Sequence, residues 1–373
     1  MKLALAHDWL DRPIGGAERV LLEMASLYGQ APVHTLLHDA GHYGDRLDSA
    51  RVRTSWLQSL PAVARRHPRY LLPLIPTAVE QFDLSAFDVV LSSSSAFMKN
   101  LVTTPHTLHV CYCHSPMRFV WDYWPAYLDE QRVGPLRRAA IRVLASRLRV
   151  WDVAGATRVD VWLANSQTTA RRLRKYYGVT ARVLYPGIDA GAFHPLAPGL
   201  KSDEYLCLAT LTPYKKLDLA ITAFNTSRRR LVIAGEGPDR ARLERLAGPT
   251  VRFTGHLGDA ARADLLAHSR ALVFPSEEDF GIAPLEAMAS GTPVVAFGRG
   301  GLRESVVAGR TGVFFTEQTP EALNAAVGEL EGMELSCEAL VARARQFDIT
   351  AFRRDLATLV DRAFSVHAAG GPR

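Results

Sequence analysis

Two series of short apolar runs constrain the fold of this chain more than any other feature. Within each series, runs of strand length alternate with longer segments of helical apolar spacing. The first series comprises residues 3–6, 89–92, 108–113 and 161–164, and the second comprises 205–208, 230–234, 251–254, 271–274 and 293–297. This alternation predicts an α/β fold with one parallel sheet in each half of the chain.

A stretch rich in proline and glycine, residues 185–198, separates the two series and indicates a domain boundary. We therefore expect an N-terminal domain over residues 1–190 and a C-terminal domain over 191–350. The chain has 373 residues, more than a single hydrophobic core usually holds, which also favours two domains with a cleft. The segment 351–373 is predicted to be a helix that packs on either domain, in one arrangement back on the N-terminal one.

Composition and charge narrow the class of protein. With 48% apolar and 22% charged residues, the chain has the composition of an ordinary soluble globular protein. It contains no apolar run of about 18 residues, so we expect neither a signal peptide nor a membrane span. Four scattered cysteines predict no disulfide framework and suggest the reducing cytoplasm. The net charge of +6 and pI near 9.2 favour an anionic partner: a nucleotide, a membrane or a nucleic acid.

A pair of adjacent glycines, Gly15 and Gly16, follows the first apolar run and precedes a helical segment. Glycines let the backbone approach a ligand closely, and the free N–H groups of a helix start suit a phosphate. An ordinary strand-to-helix turn accounts for the two glycines equally well.

An acidic loop follows the fourth apolar run of the second series and leads into a helix, with Pro284 in its first turn and Gly291 at its end. Glu278 lies in the loop and Glu286 in the early helix. These carboxylates can accept hydrogen bonds from ribose and sugar hydroxyls, while the backbone N–H groups of residues 280–283 can face a diphosphate. Alternatively, both acids are simply favoured by the helix dipole.

The spacing from Glu278 to Glu286, two glutamates separated by seven residues, resembles the signature of glycosyltransferase family 4. Further matching segments lie at residues 15–16, 113–118, 164–166, 185–189, 214–215, 234–238, 291–295, 300–304 and 309–312. The resemblance implies the GT-B fold, two Rossmann-like domains facing across a cleft, and a retaining hexosyltransferase that needs no protein nucleophile.

The resemblance also implies roles for individual residues. Glu286 holds the ribose hydroxyls, Glu278 the sugar hydroxyls, and Gly16 lies against the diphosphate. Lys215 neutralises that diphosphate as the leaving group. His114, at the carboxyl end of a strand, lies beside the transferred sugar; without the resemblance it is equally well a buried histidine with satisfied hydrogen bonds. The expected catalytic residues are His114, Glu278 and Lys215.

The donor-binding residues expected from the resemblance extend over both domains. They are Gly15, Gly16, Thr210, Lys215, Lys216, Gly235, Glu236, His256, Leu257, Glu278, Phe280, Gly281, Ile282 and Glu286. Thr210 stands where the family usually has an arginine, and Lys216 is a candidate to replace that charge. The segments 277–282 and 113–122 resemble those of bacterial mannosyltransferases that use GDP-mannose, although the base contacts expected near 235–236 and 255–257 do not distinguish guanine from uracil.

A metal site is not expected. Cys111, Cys113 and His114 together suggest zinc, but strand alternation sends the two cysteines to one face of the sheet and the histidine to the other. The chain also lacks the Asp-x-Asp pair that holds a divalent cation in the other large glycosyltransferase fold. We therefore expect a metal-independent reaction without a cofactor, the nucleotide-sugar acting as co-substrate.

Basic and apolar or aromatic residues interleave in two segments, 59–76 and 137–151. Such segments suit an anionic membrane surface, although ordinary helices with solvated charged faces have the same pattern. Together with the resemblance, they suggest peripheral binding to the inner face of the cytoplasmic membrane and a glycan or polyprenyl-diphosphate acceptor in polysaccharide biosynthesis. Arg118, Trp121 and Asp122 are the candidate acceptor-binding residues.

Two other functions remain open at this point. A nucleotide-sugar 2-epimerase shares the fold but needs positioned acid and base groups, and the two-glutamate signature disfavours it. A non-catalytic protein that binds a nucleotide-sugar or a lipid is conceivable because of Thr210. Nucleic-acid binding ranks last, because the chain has no base-stacking motif.

Overall fold

The computed structural model describes residues 1–65, 68–124, 134–197 and 199–370. The described chain forms two compact units, the first made of Met1–Tyr185 with Arg353–Arg373 and the second of Pro186–Phe352. The domain boundaries expected from the sequence lie at residues 190 and 350. Pro198, which belongs to the expected linker, lies outside the described residues.

The first unit contains a seven-stranded parallel sheet with the strand order β3-β2-β1-β4-β5-β6-β7. Its strands are β1 Leu3–His7, β2 Val33–Thr35, β3 Val52–Thr54, β4 Val89–Ser94, β5 Leu108–Cys113, β6 Val161–Ala164 and β7 Arg182–Val183. Its helices include α1 Gly16–Leu27, α2 Ala40–Tyr43, α3 Ala62–Arg65, α4 Pro68–Leu71, α5 Ile75–Glu80, α6 Pro135–Ala156 and α7 Gln167–Tyr177. This strand order is doubly wound and reverses direction between β1 and β4, a point where such sheets commonly bind ligands.

The second unit contains a six-stranded parallel sheet with the strand order β10-β9-β8-β11-β12-β13. Its strands are β8 Tyr205–Leu208, β9 Leu231–Ala234, β10 Val251–Gly255, β11 Ala271–Phe274, β12 Val294–Phe297 and β13 Gly312–Phe315. The helices from here on are α8 Leu217–Ser227, α9 Arg240–Leu246, α10 Asp259–His268, α11 Ile282–Ala289, α12 Leu302–Ser305, α13 Pro320–Glu331, α14 Cys337–Arg345 and α15 Ile349–Ala368. The order reverses between β8 and β11.

The last helix, α15, crosses from the second unit into the first. Arg353 of this helix donates from Nε to the carboxylate of Glu23 on α1 at 2.7 Å. Leu356 and Val360 are buried on the same helix. Their spacing places them on one face, so the apolar face of the C-terminal segment is covered by the protein.

The fold class predicted from the sequence is confirmed, since both sheets are parallel and doubly wound. Strands β1, β4, β8 and β11 are largely or fully buried because helices cover both faces of each sheet. Strands β2, β3, β7 and β13 were not predicted. The first three contain only two or three residues, too few for a periodic pattern, and β13 begins at a glycine.

A buried carboxylate at the end of β1 fixes the loop that follows β4. Asp8 accepts hydrogen bonds from the backbone N–H groups of Ala96, Phe97 and Met98 at 2.7–2.9 Å. These contacts satisfy donors that the turn otherwise leaves unpaired in the interior. The loop is thereby held against the end of the central strand.

A buried ion pair joins that loop to α6. Lys99 and Asp152 are both fully buried, and the Lys99 ammonium contacts the Asp152 carboxylate directly. The same carboxylate accepts hydrogen bonds from the Trp121 indole N–H at 2.8 Å and from the Tyr177 hydroxyl at 2.6 Å. These partners satisfy a charge that is costly to bury without them.

Candidate functional site

The first group of candidate residues lies where the strand order of the first sheet reverses. His7 and Ser93 are paired in register at the ends of β1 and β4, and His114 directly follows β5. The Ser93 hydroxyl lies 3.1 Å from Nδ1 of His7 and 2.7 Å from Nε2 of His114. All three side chains are buried. Sequence analysis identified His114 and missed the other two, which are polar residues ending buried strands.

The glycine pair lies at the start of α1, with Gly15 capping the helix and Gly16 as its first residue. The carboxylate of Glu18 accepts the N–H of Gly15 at 2.9 Å, and its other oxygen lies 3.8 Å from Nε2 of His7. Burial alone raises the pKa of the Glu18 carboxyl, but its contacts with His7 lower that pKa below its ordinary value. A glutamate three residues after a helix cap is a recognisable signal that sequence analysis did not use.

The three candidate acceptor-binding residues all take part in internal contacts. Trp121 donates to the buried Asp152 and stacks on Tyr176, with ring centroids 4.8 Å apart. The Asp122 carboxylate lies 3.0 Å from Nε of Arg172 and 3.5 Å from Nε of Arg118. These contacts give Trp121 and Asp122 a structural role, and acceptor binding by them stays a prediction.

The second group of candidate residues lies where the strand order of the second sheet reverses. Lys215 ends a short turn after β8, whereas Ser276 and Glu278 follow β11. Oε1 of Glu278 accepts a hydrogen bond from Nζ of Lys215 and another from the Ser276 hydroxyl, each at 2.8 Å. A small cavity lined in part by Ala209, Lys215 and Ser276 lies beside this group. Sequence analysis did not identify Ser276.

The surroundings of Lys215 keep its ammonium charged. Burial lowers the pKa of Lys215, whereas the Glu278 carboxylate and the neighbouring Tyr214 raise it. The raising effects together outweigh burial, so the pKa of Lys215 lies above its ordinary value. Nζ also lies 5.0 Å from the ring centroid of Tyr214 and 5.8 Å from that of Phe274. The Lys215 ammonium is therefore a positive charge held in place by its neighbours, and an anionic ligand can contact it as well.

A glycine turn holds the backbone of the acidic loop. The N–H of Gly301 donates to the carbonyl oxygen of Glu278 at 2.7 Å, and Gly300 forms an isolated bridge with the same residue. Gly300 has a φ of +75°, and a methyl group at this position would lie 2.2 Å from that carbonyl oxygen. Gly281, with a φ of +88°, provides the turn into α11.

Glu286 lies buried on α11 and forms an ion pair with Arg262 of α10. Nη1 of Arg262 lies 2.9–3.0 Å from the two carboxylate oxygens of Glu286, and Nη2 lies 3.3 Å from Asp259. Sequence analysis did not identify Arg262, because nothing in the local pattern marks an arginine at mid-helix. A ribose at Glu286 must share this carboxylate with the guanidinium.

The other candidate donor residues surround the ends of β8, β9 and β10. Gly235 has a φ of +136°, and its N–H donates to the carbonyl oxygen of Gly255 at 2.8 Å. Glu236 forms an ion pair with Arg240. Of the remaining candidates, Thr210 and His256 are exposed, Lys216, Leu257 and Ile282 are half-buried, and Phe280 is buried. Their contacts with a donor stay predictions.

Among the residues that the structure describes, no group of three His, Cys, Asp or Glu side chains could hold a metal ion. Cys111 and Cys113 lie in one buried apolar cluster with Trp162 and Leu173. Burial raises the pKa of the Cys111 thiol to about 12, so this thiol is protonated at neutral pH.

Comparison with known families identifies the class to which these two sheets and sites belong. The model described as "Glycosyltransferase Family 4" matches residues 14–191, and the model described as "Glycosyl transferases group 1" matches residues 194–347. Together they cover most of the chain. The chain belongs to the family 4 glycosyltransferases and has the GT-B fold.

Individual relatives support the same class. A glycogen synthase from Mycobacterium tuberculosis is 36% identical over 44% of this chain and 43% of its own length. A GDP-mannose-dependent α-(1-6)-phosphatidylinositol dimannoside mannosyltransferase from M. tuberculosis is also 36% identical, over 40% of this chain and 44% of its own length. The chain thus spans less than half the length of both relatives.

Among solved structures, sucrose-phosphate synthase from Thermosynechococcus elongatus has the same fold. It superposes with a TM-score of 0.76 over 98% of this chain and 100% of its own, at 18% identity. At this identity the likeness concerns the fold alone.

Proposed function

We propose that this protein transfers a hexose, with retention of configuration, from a nucleotide-sugar to a glycan or lipid-linked acceptor. The observation that supports this proposal best is the contact of Lys215 and Ser276 with Glu278. It lies at the reversal of strand order in the second sheet, where doubly wound sheets bind ligands. The Lys215 ammonium suits a diphosphate, and the adjacent carboxylate and hydroxyl suit the hydroxyl groups of a sugar.

The charges of this group suggest how binding and chemistry are linked. In the free protein the Glu278 carboxylate neutralises the Lys215 ammonium. A bound diphosphate competes for that ammonium, and Glu278 then gains free lone pairs to accept hydrogen bonds from sugar hydroxyls. As the bond to the sugar breaks, negative charge grows on the departing diphosphate, and Lys215 stabilises it.

We propose GDP-mannose as the donor. The mannosyltransferase relative is described as GDP-mannose-dependent, and residues 113–122 resemble the corresponding segment of such enzymes. The glycogen synthase relative, also 36% identical, is not described as GDP-mannose-dependent, so a different nucleotide-sugar is the competing choice. The nucleotide base therefore distinguishes the candidates.

A thermal-shift comparison of GDP, UDP and ADP tests the donor nucleotide. A nucleotide at 100 times its dissociation constant stabilises the folded protein by about 2.7 kcal/mol. We expect GDP to raise the melting temperature most, and a larger shift with UDP or ADP would contradict GDP-mannose. If none of the three shifts the melting temperature, the proposal of a nucleotide-sugar enzyme is wrong.

A second experiment separates transfer from the alternative functions. Incubation of GDP-mannose with the protein and no acceptor should give slow hydrolysis or no reaction, and addition of a glycan or polyprenyl-diphosphate acceptor should release GDP. Formation of a 2-epimer without acceptor would indicate an epimerase. Tight binding without turnover over a panel of acceptors would indicate a non-catalytic protein.

We further propose that α6 lies against an anionic membrane. Leu136, Val143 and Val150 are seven residues apart and 87%, 55% and 71% exposed, so they form one solvent-facing apolar stripe. Arg142 and Arg147 are also exposed on this helix. An apolar stripe flanked by arginines suits the interface of an anionic bilayer.

The other basic segment supports this proposal only in part. Val63 and Tyr70 are 73% and 76% exposed, but residues 66–67 lie outside the described residues. No helix in the described parts of the chain is both long and apolar enough to span a bilayer. We therefore propose that the protein binds at the membrane surface as a peripheral protein.

A further inference from the structure

The two carboxylate oxygens of Glu278 have different surroundings. Oε1 accepts hydrogen bonds from the Lys215 ammonium and the Ser276 hydroxyl, each at 2.8 Å. Oε2 receives no hydrogen bond from the part of the chain that the structure describes, and it is open to solvent. One oxygen is therefore engaged by the protein, and the other is available to a ligand.

The Ser276 hydroxyl is a donor in a fixed position. Ser276 is 1% exposed and lies two residues after β11. On its amino side, the carbonyl oxygen of Pro275 accepts a hydrogen bond from Nε2 of Gln318 at 2.9 Å. On its carboxyl side, the carbonyl oxygen of Glu278 accepts the N–H of Gly301 at 2.7 Å. The main chain that contains both the serine and the glutamate is thus held at both ends.

The two donors to Oε1 respond differently to an anionic ligand. The Lys215 ammonium lies on a long side chain, and its charge attracts a diphosphate. The Ser276 hydroxyl is neutral and lies on a short, buried side chain, so it stays where it is. When a diphosphate draws Lys215 away from Oε1, Ser276 remains as a donor to that oxygen. Without Ser276, the Glu278 carboxylate can turn about its last torsion angle, which has broad minima.

We propose that Ser276 is a positioning residue, which holds Oε1 of Glu278 and thereby directs Oε2 to one hydroxyl group of the transferred sugar. The hydrogen bond from the serine matters most once the donor is bound, because Lys215 is then shared with the diphosphate. The part of this inference that concerns the sugar rests on the proposed function. The hydrogen bond itself belongs to the free protein and does not depend on that function.

The alternative role for Ser276 is direct binding of the diphosphate, because Ser276 also lines the small cavity beside Lys215. Its hydroxyl would then leave Glu278 when the ligand binds. The two roles differ in what they change. A diphosphate contact changes the affinity for GDP, whereas positioning of Glu278 changes how the sugar is held and leaves the affinity for GDP as it is.

The other end of β11 provides a matched control. Ser269 precedes the strand, is 1% exposed, and donates from its hydroxyl to the carbonyl oxygen of Leu265 at 2.6 Å. The four residues of β11 separate the two serines by about 13 Å. Ser269→Ala therefore removes a buried serine hydrogen bond next to the same strand and leaves the group around Glu278 intact.

Nucleotide binding and kinetics test the positioning. Ser276→Ala should bind GDP within about twofold of the wild type but lower kcat for transfer from GDP-mannose about tenfold. Ser276→Thr, which keeps the hydroxyl, should have a kcat near that of the wild type, and Ser269→Ala should leave both quantities unchanged. The inference is wrong if Ser276→Ala keeps the wild-type kcat. It is also wrong if the affinity for GDP falls as much as kcat does, because the hydroxyl then binds the diphosphate.

A series of GDP-mannose analogues, each lacking one mannose hydroxyl, tests whether Oε2 contacts a single hydroxyl. In the wild type, one analogue should lose about tenfold or more in kcat/KM, since hydrogen bonds to charged groups are strong. In Ser276→Ala the loss for that analogue should shrink to about twofold, because the carboxylate is no longer held. Equal losses in the wild type and in Ser276→Ala for every analogue would overturn the inference.

Melting temperatures of the free protein test the hydrogen bond without any ligand. If Ser276 holds Glu278, the Ser276→Ala/Glu278→Ala double variant should lose less than the sum of the losses in the two single variants. Additive losses would show that the serine does not hold the glutamate. If the wild type binds neither GDP nor GDP-mannose, the proposed function fails together with the role toward the sugar, while the melting temperatures still decide whether Ser276 holds Glu278.

Discussion

Lys215 combines a buried stem, a carboxylate partner and two aromatic neighbours within a few ångströms of its ammonium. We predict that Lys215→Met, which keeps the apolar stem and removes the charge, lowers kcat by about 100-fold to 1,000-fold. The physical reason is that the departing diphosphate loses its preorganised cation. Steady-state transfer from GDP-mannose measures this effect.

Lys175→Met is the control for the loss of a lysine, because Lys175 is exposed in the last turn of α7 in the first unit. It should retain the wild-type kcat. Melting temperatures of both variants separate a catalytic loss from unfolding. A folded Lys215→Met variant with wild-type turnover would remove this residue from the mechanism.

His109 gives a prediction about stability and pH. Full burial, with a smaller effect of Arg158, lowers the pKa of His109 to about 3, whereas an unfolded histidine titrates near 6.5. The neutral ring therefore stabilises the folded state above about pH 6.5, and this stability is lost as the pH falls toward 3. The slope contributed by one such group is at most about 1.4 kcal/mol per pH unit.

Urea unfolding of the wild type and of His109→Gln between about pH 4 and 7 measures this contribution. All six tryptophans lie in the first unit, so tryptophan fluorescence follows the unit that contains His109. The variant should be less stable at pH 7 but should lose less stability on acidification. Parallel slopes for the two proteins would contradict a depressed pKa of His109.

At the scale of elements, the turn between β12 and α12 positions the acidic loop between β11 and α11. Gly300→Ala places a methyl group against the carbonyl oxygen of Glu278 and imposes a backbone conformation that alanine disfavours. We predict that this variant binds GDP about tenfold more weakly, because a shift of the loop that carries Glu278 also moves the backbone N–H groups of residues 280–283, which are expected to face the diphosphate. Titration calorimetry with GDP measures the change.

Gly309→Ala is the matched control for backbone strain. Gly309 has a φ of +73°, close to that of Gly300, but a methyl group there meets no atom within 4 Å. It should cost about 1–2 kcal/mol of stability from the backbone alone and leave GDP affinity unchanged. Equal losses of affinity in the two variants would show that strain, rather than contact with Glu278, is responsible.

At the scale of the whole molecule, the positive net charge and the apolar stripe of α6 predict retention by vesicles that contain anionic lipid. We expect the Val143→Asp/Val150→Asp double variant to lose most of this retention in flotation assays at low salt. The added carboxylates oppose both the burial of the stripe and the attraction of the arginines. Raising the salt shortens the screening length to about 8 Å at physiological strength and should weaken retention of the wild type.

Leu200→Asp provides the comparison for this variant, since Leu200 is a 61% exposed apolar residue of the second unit. It should float as the wild type does. Failure of the wild type to float at low salt, or equal flotation of the α6 variant, would disprove the membrane proposal.

Much of the molecule was predictable, at all three scales, from local patterns. The buried strands can be predicted from the sequence because a strand covered on both faces is largely apolar, as in residues 108–113. Short strands at or near the edges of the sheets, such as β3 and β7, lack enough residues for any pattern. Glu278 and Glu286 could be named as candidate site residues because their spacing within one segment resembles a family signature, and their roles stay predictions.

The sequence by itself determined that this chain forms two parallel α/β sheets, because burial dictates the order of apolar and polar residues along each strand. Only the tertiary structure decided the partners: Arg262 with Glu286 across 24 residues, Lys99 with Asp152 across 53, and His7 with Ser93 across 86. Such pairs leave no local pattern, since the requirement to satisfy a buried charge or hydrogen bond is met by whichever group the fold brings near.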